Sequence, residues 1–170
     1  VTAICSSKNA EYVRTLGADS VIDYTTLPVL STLTSASTSQ KYDLIVDCVG
    51  GTEIISSYTT LLHPKGAYVT IVGDKTNIKS MGGPITYFTN PRQVWRYIYG
   101  WFWGPRYACV SMYQKSEYLE KVVGLGERGL VRCEVQEVIK GAFGEEEAWR
   151  RAVEAMEGGR VRGKIVLEIP

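Results

Sequence analysis

The chain is 170 residues long, 45% hydrophobic and 22% charged, with 19 Lys+Arg against 18 Asp+Glu and a net charge of +1. That is about one domain, able to bury a core without staples. The composition excludes a disordered chain, and the balanced charge gives no reason to expect nucleic acid as a partner. Cys5, Cys48, Cys109 and Cys133 make no CxxC pair, and His63 is the single histidine. A metal site built from this chain alone is therefore not expected, whereas reduced thiols in an intracellular protein are.

In chain order, Val1–Cys5 reads as an apolar strand and Asn9 as the cap of a helix through Leu16, stopped by Gly17. Ser20–Asp23 is a second strand, and Thr26–Ser39 a weakly helical Ser/Thr-rich stretch with Pro28 near its start. Asp43–Val49 is apolar without alternation, the mark of a strand buried on both faces of a parallel sheet. After Gly50-Gly51 come a helix to about Leu62, a turn at Pro64-Lys65-Gly66 and a fourth strand, Ala67–Val72, ended by Gly73. Short strands alternating with helices predict an α/β fold with a parallel sheet and right-handed crossovers.

Further on, Thr76–Asn90 carries Gly82-Gly83-Pro84 and reads as a loop. Pro91 opens a helix through Tyr99, and Arg106–Met112 is a strand. A helix from Ser116 is expected to turn Tyr118, Leu119, Val122 and Val123 inward. Val131–Ile139 is a strand, Glu145–Met156 a helix with Ala148, Trp149, Ala152, Val153 and Met156 on its core face, and Lys164–Ile169 a closing strand. No charged leader precedes the first strand, so no signal peptide is expected. The longest uncharged aromatic run, Tyr97–Pro105, is far short of the ~20 residues that span a bilayer. A sequence that opens inside a strand reads as a piece of something longer.

Open parallel sheets bind ligands at the carboxyl ends of their strands. After the first strand come Ser6-Ser7-Lys8, two hydroxyls and an ammonium at a strand-to-helix turn. A carboxylate there would hold a ribose diol; hydroxyls with a cation suit a 2′-phosphate instead. Capping serines are the plainer reading. Tyr24 follows the second strand and could lie against an adenosine phosphate or ribose, or be a surface aromatic. Cys48-Val49-Gly50 and Val72-Gly73 follow the next two strands, where glycine lets backbone approach a ligand. Gly124-Leu-Gly126-Glu-Arg-Gly129 matches GxGxxG by letter, but it follows a helix and opens none, so these glycines are expected to end a helix rather than cradle a pyrophosphate. The block Trp95–Tyr107 is dense enough in aromatics to mark an interface, with core packing, a neighbouring domain and a membrane surface as the open readings.

The runs CSSKN at Cys5–Asn9, LGADSVIDY at Leu16–Tyr24, DLIVDCVGG at Asp43–Gly51, PKGAYVTIVG at Pro64–Gly73 and GGRVRGKIVL at Gly158–Leu167 resemble, in this order, the medium-chain dehydrogenase/reductase superfamily. The likeness is to its quinone oxidoreductase-like branch, nearest the reticulon-interacting mitochondrial oxidoreductases and fungal zinc-type alcohol dehydrogenase-like proteins. It implies a Rossmann-type parallel sheet that lacks its first strand and glycine-rich turn over residues 1–130. Residues 131–170 would be a strand–helix–strand segment that in relatives returns to the catalytic domain. The cofactor implied is NADPH, with Ser6, Ser7, Lys8 and Tyr24 at the 2′-phosphate. Cys48, Val49, Gly50, Val72 and Gly73 would lie along the ribose and nicotinamide, and Arg162 would approach from the C-terminal segment. The activity implied is hydride transfer to a quinone, enone or carbonyl without zinc, by an enzyme of the mitochondrion or cytoplasm; no catalytic side chain is assigned, and the chain alone is expected not to turn over. Association as a homodimer through an exposed sheet edge and the aromatic block is a further expectation. The rival readings are a non-catalytic Rossmann remnant acting as an interaction module and a methyltransferase-like domain, the latter disfavoured by the lack of an acid after the first strand.

Overall fold

The computed structural model describes residues 1–73, 90–110, 115–140, 146–158 and 161–168. It falls into two compact units, Val1–Met112 and Tyr113–Pro170. The expected loop over Thr76–Asn90 lies outside the described residues except for Asn90 itself.

The first unit holds five strands, β1 (Thr2–Cys5), β2 (Ser20–Asp23), β3 (Tyr42–Asp47), β4 (Leu62–Thr70) and β5 (Arg106–Cys109). Its helices are α1 (Ser7–Thr15), α2 (Val29–Ser39), α3 (Glu53–Leu61) and α4 (Pro91–Phe102). Every strand pair is parallel, in two groups: β1 beside β2, and β3-β4-β5. No ladder joins β1 to β3, and a Rossmann order places one more strand between two such groups. The architecture is thus the α/β class with parallel strands that was expected. Strand β4 starts earlier than expected and runs through Pro64–Gly66, because Leu62 pairs with Tyr42 before the register shifts at Tyr42/Leu44.

The two groups share a core even though they share no hydrogen bonds. Ile22 of β2, Leu33 of α2 and Leu61 of α3 bury together, with Tyr42, Ile45 and Ile54 packed against them. A second cluster joins Ile55 and Tyr58 of α3 to Leu62 and Tyr68 of β4 and Tyr107 of β5. The Tyr68 and Tyr107 rings stack with centroids 6.0 Å apart. Fully buried Leu and Ile side chains such as Ile55, Leu61 and Leu62 are each worth roughly 1.5–3 kcal/mol. Helix α1 opens one turn sooner than expected, with Ser6 rather than Asn9 before its first turn. Helix α4 is capped by Asn90, whose side-chain oxygen accepts from Arg92 N at 3.1 Å, with Pro91 at the position that needs no N–H.

The second unit pairs β6 (Val135–Lys140) with β7 (Lys164–Glu168) in parallel and holds α5 (Ser116–Glu127) and α6 (Glu146–Glu157). Two expectations are corrected here. Tyr118, Leu119, Val122 and Val123 are not inward: α5 buries no residue, and these four are about half to two-thirds exposed. Among the described side chains of α6, only Ala148 and Ala152 are buried, against Ile139 and Ile165, while Trp149, Val153 and Met156 stand exposed. Periodicity put each set on one face correctly, but no described residue covers those faces. Gly124 and Gly126 lie inside α5 rather than after it, and only Gly129 ends it. Gly129 has φ +69° and its N–H reaches Gly126 O while Leu130 N–H reaches Leu125 O, a Schellman closure. No strand precedes these glycines and no helix opens on them, so they form no pyrophosphate turn.

Candidate functional site

The carboxyl ends of β1 to β4 are each shaped by an oxygen acceptor in the last residue of a strand. At β2 it is Asp23, whose Oδ1 accepts from Thr25 N at 2.9 Å and from Thr25 Oγ1 at 2.6 Å. Asp23 pairs with Cys5 across the β1–β2 ladder, which sets its carboxylate beside the turn that follows β1. The hydroxyl and N–H of Thr25, and then Ser7 of that turn, hold this carboxyl below the ordinary carboxylate range. Tyr24 N donates to Cys5 O at 3.3 Å, so Tyr24 stands over the same turn with its side chain exposed.

The structure therefore brings Ser6, Ser7, Lys8 and Tyr24 together, as the sequence reading expects, and adds Asp23. Ser6 has extended backbone and makes no side-chain cap, so the amides that open α1 are not satisfied by its hydroxyl. No acid stands in the first turn of α1 and Lys8 does, the reverse of what the helix dipole favours. A bound anion would turn that arrangement from unfavourable to favourable.

Strands β3 and β4 end in the same device, an acceptor followed three residues later by a glycine with positive φ. Asp47 Oδ1 accepts from Val49 N at 2.9 Å and Gly50 N at 2.8 Å, while Oδ2 accepts from the Tyr68 hydroxyl at 2.5 Å. Thr70 Oγ1 accepts from Val72 N at 3.2 Å and Gly73 N at 2.9 Å. Gly50 has φ +82° and Gly73 φ +72°. Each oxygen draws two amides back over the strand end, which folds the chain sharply off the sheet. Burial, with the Asp47 carboxylate next to it, pushes the Tyr68 phenol far above its ordinary range and keeps it protonated as a donor.

The amides of Val49, Gly50, Val72 and Gly73 are thereby spent inside the protein, which leaves carbonyl oxygens as the backbone groups a ligand could meet at these turns. Cys48 and Val49 are exposed at the edge, whereas Val72 is core. Asp74 lies outside the described residues. Gly73 is pressed by Gln93 of α4: a Cβ built at Gly73 would stand 2.4 Å from Gln93 Nε2. Gln93 is 2% exposed and its Oε1 has no hydrogen-bond partner among the described residues. Asp47, Thr70 and Gln93 were missed in the sequence. The repeated spacing Asp47-x-x-Gly50 and Thr70-x-x-Gly73 was a usable signal for the first two. Nothing local marks Gln93, which reaches the turn only by tertiary packing.

Arg162 belongs to the second unit, in the turn before β7, where its N–H bonds the Gln136 side chain. Among the described residues no group of three or more His, Cys, Asp or Glu stands ready to hold a metal ion. The residues at the strand ends fit a nicotinamide dinucleotide. The anion-seeking turn after β1 would take phosphate, and the orphaned Gln93 acceptor would take a donor such as a carboxamide at the β4 edge.

The family model for zinc-binding dehydrogenases matches residues 16–167. The trans-enoyl reductase poxH of Penicillium oxalicum is 30% identical over 172 residues, covering 99% of this chain and 43% of the relative. The mitochondrial NAD(P)H oxidoreductase RTN4IP1 of Mus musculus is 32% identical over 172 residues, covering 99% and 41%. Among solved structures, the quinone oxidoreductase of Coxiella burnetii superposes with a TM-score of 0.66 at 22% identity over 100% of this chain and 45% of its own. The chain spans less than half the length of these relatives.

Proposed function

The chain belongs to the zinc-binding dehydrogenase family of medium-chain dehydrogenases/reductases, and on that premise we propose that it is the cofactor-binding part of an NADPH-dependent oxidoreductase. The observation that carries the choice of NADPH is the Ser6-Ser7-Lys8 turn after β1, two hydroxyls and an ammonium with no acid in the first turn of α1 itself, the carboxylate that Ser7 meets being Asp23 at the end of β2. Ser6 and Lys8 would hold the 2′-phosphate, Ser7 is oriented by Asp23, and the Tyr24 ring would lie against the adenosine. Cys48–Gly50 and Val72-Gly73 would line the ribose and nicotinamide. Bound there, the nicotinamide would supply a hydride. What these residues contribute is placement: two rigid turns, each fixed by its own strand-end oxygen, leave little motion in the surface the cofactor rests on.

A quinone, enone or carbonyl acceptor is supported by the names of the relatives, a trans-enoyl reductase, a quinone oxidoreductase homolog of the chloroplast envelope from Arabidopsis thaliana and an NAD(P)H oxidoreductase. The mitochondrial relative supports that compartment, with the cytoplasm as the alternative. The 170 residues by themselves are expected not to turn over, because they span less than half the length of the relatives they match. Turnover by the purified 170-residue chain above a heat-killed control would refute that.

Calorimetric titration with NADPH and NADH in parallel tests the reading. Tighter binding of NADPH, with the preference lost in Ser6→Asp, is the expected result. If a folded chain binds neither nucleotide, the cofactor reading fails for this chain and the non-catalytic interaction module takes its place.

A further inference from the structure

Helix α4 is built inside out. Its inward positions are Gln93, the half-buried Arg96 and Tyr99, and Gly100, and both ends of that face are pinned. Gln93 presses on Gly73, and Gly100 lies so close to the next segment that a Cβ there would stand 2.6 Å from Pro105 O. Arg96 sits over the Tyr107 ring at 6.0 Å. With its rotation fixed by those contacts, the helix turns Trp95, Tyr97, Ile98 and Trp101 outward, and Phe102 and Trp103 follow at its end. Trp101, Phe102 and Trp103 are each about two-thirds exposed.

We propose that this outward face docks on an anionic lipid surface, with α4 lying in the plane of the headgroups. Three observations choose that occupant. The exposed side chains are mostly Trp, Tyr and Phe, whose apolar bodies and polar edges favour the boundary between headgroup and acyl chain. Over residues 90–110 the chain carries Arg92, Arg96 and Arg106 and no Asp or Glu, with Arg92 and Arg106 exposed, a charge of one sign that an anionic surface answers. A second copy on the same face would instead bring like charges together. Beside the helix, a cleft of about 400 Å³ is lined by Tyr97, Gly100, Trp101, Arg106, Tyr107 and Ala108. It offers a guanidinium between aromatic walls, suited to a lipid phosphate. At twelve residues α4 is about 18 Å long, too short to cross a bilayer and long enough to lie on one.

The test is co-sedimentation of the full chain with phosphatidylcholine vesicles and with vesicles of three parts phosphatidylcholine to one part phosphatidylglycerol. Tryptophan emission is read in parallel, since three of the four tryptophans, Trp95, Trp101 and Trp103, lie on this surface. The expected result is at least tenfold stronger binding to the anionic vesicles, with a blue shift in emission and weakening at high salt. Trp95→Ser with Trp101→Ser should lower binding at least tenfold without moving the circular dichroism or the thermal midpoint, both sites being well exposed. Arg92→Gln with Arg106→Gln should remove the preference for anionic lipid. Absence of vesicle binding, indifference to lipid charge, or equal binding by the tryptophan variant overturns the proposal. So does self-association of the chain that the tryptophan variant abolishes without any vesicle binding, which would assign the face to a second copy.

Discussion

Replacing Thr70 by Val keeps the shape and the β-branch of a residue that is 0% exposed, and removes only the oxygen that gathers the turn after β4. Two buried amides then lose their acceptor. A buried donor left unsatisfied costs about 1–3 kcal/mol. The Gly73 bond at 2.9 Å belongs in the middle of that range and the Val72 bond at 3.2 Å at its lower end. Together they come to about 3 kcal/mol, offset by about 1 kcal/mol from burying a methyl in place of a hydroxyl. The net loss expected is about 2 kcal/mol, a large share of the 5–15 kcal/mol typical of a domain. Thr70→Ser is the control, since it keeps the acceptor and gives up one methyl, about 1 kcal/mol. Urea unfolding followed by circular dichroism gives both differences, and hydrogen exchange reads the amides of Val72 and Gly73 directly. Those two should exchange faster in Thr70→Val and stay protected in Thr70→Ser. A valine variant at least as stable as the serine variant, with both amides still protected, would refute the idea that this hydroxyl sets the turn.

Tyr68→Phe takes a buried side-chain donor from Asp47 Oδ2 and should cost about 1.5–3 kcal/mol by the same unfolding assay, as for a hydrogen bond to a charged group. Because the folded protein holds the Tyr68 phenol protonated above its ordinary value near 10, its contribution is complete below pH 10. It is lost as the pH rises beyond that and the unfolded chain alone gives up the proton. The fall in unfolding midpoint between pH 9 and pH 11 should therefore be shallower in Tyr68→Phe. Gly73→Ala meets both a positive φ and the Gln93 amide, and should destabilise by roughly 1–3 kcal/mol. Gln93→Ala should recover only the steric part, so a double-mutant cycle that shows no coupling would contradict the contact. Asp23→Asn removes a negative charge beside Ser7, so the ratio of NADPH to NADH affinity should rise in calorimetric titration.

Much of the fold was legible without coordinates. Strands such as Ser20–Asp23, and the alternation of strand and helix, announce themselves through short apolar runs, Gly17 and Gly73 stops and the Asn90-Pro91 helix start. These are local signals, because backbone geometry within a few residues decides them. The candidate turn Ser6-Ser7-Lys8 with Tyr24 was legible for the same reason, each residue standing just past a strand.

Three features needed the tertiary structure. Asp23 faces Ser7 only because parallel pairing sets Cys5 opposite Asp23. Gln93 enters the site from a helix twenty residues beyond Gly73, and only packing against that glycine shows it. Helix periodicity marked the apolar faces of α5 and α6, and the usual rule turned them inward, but α5 buries nothing and the described side chains of α6 bury only Ala148 and Ala152. The amino-acid sequence by itself determined which residues share a face and the order and type of the elements, since those follow from short-range sterics and hydrogen bonding, while boundaries such as the early start of β4 were set by pairing with Tyr42. Which face is covered, and by what, is a question of long-range contacts, and only the folded chain decided it.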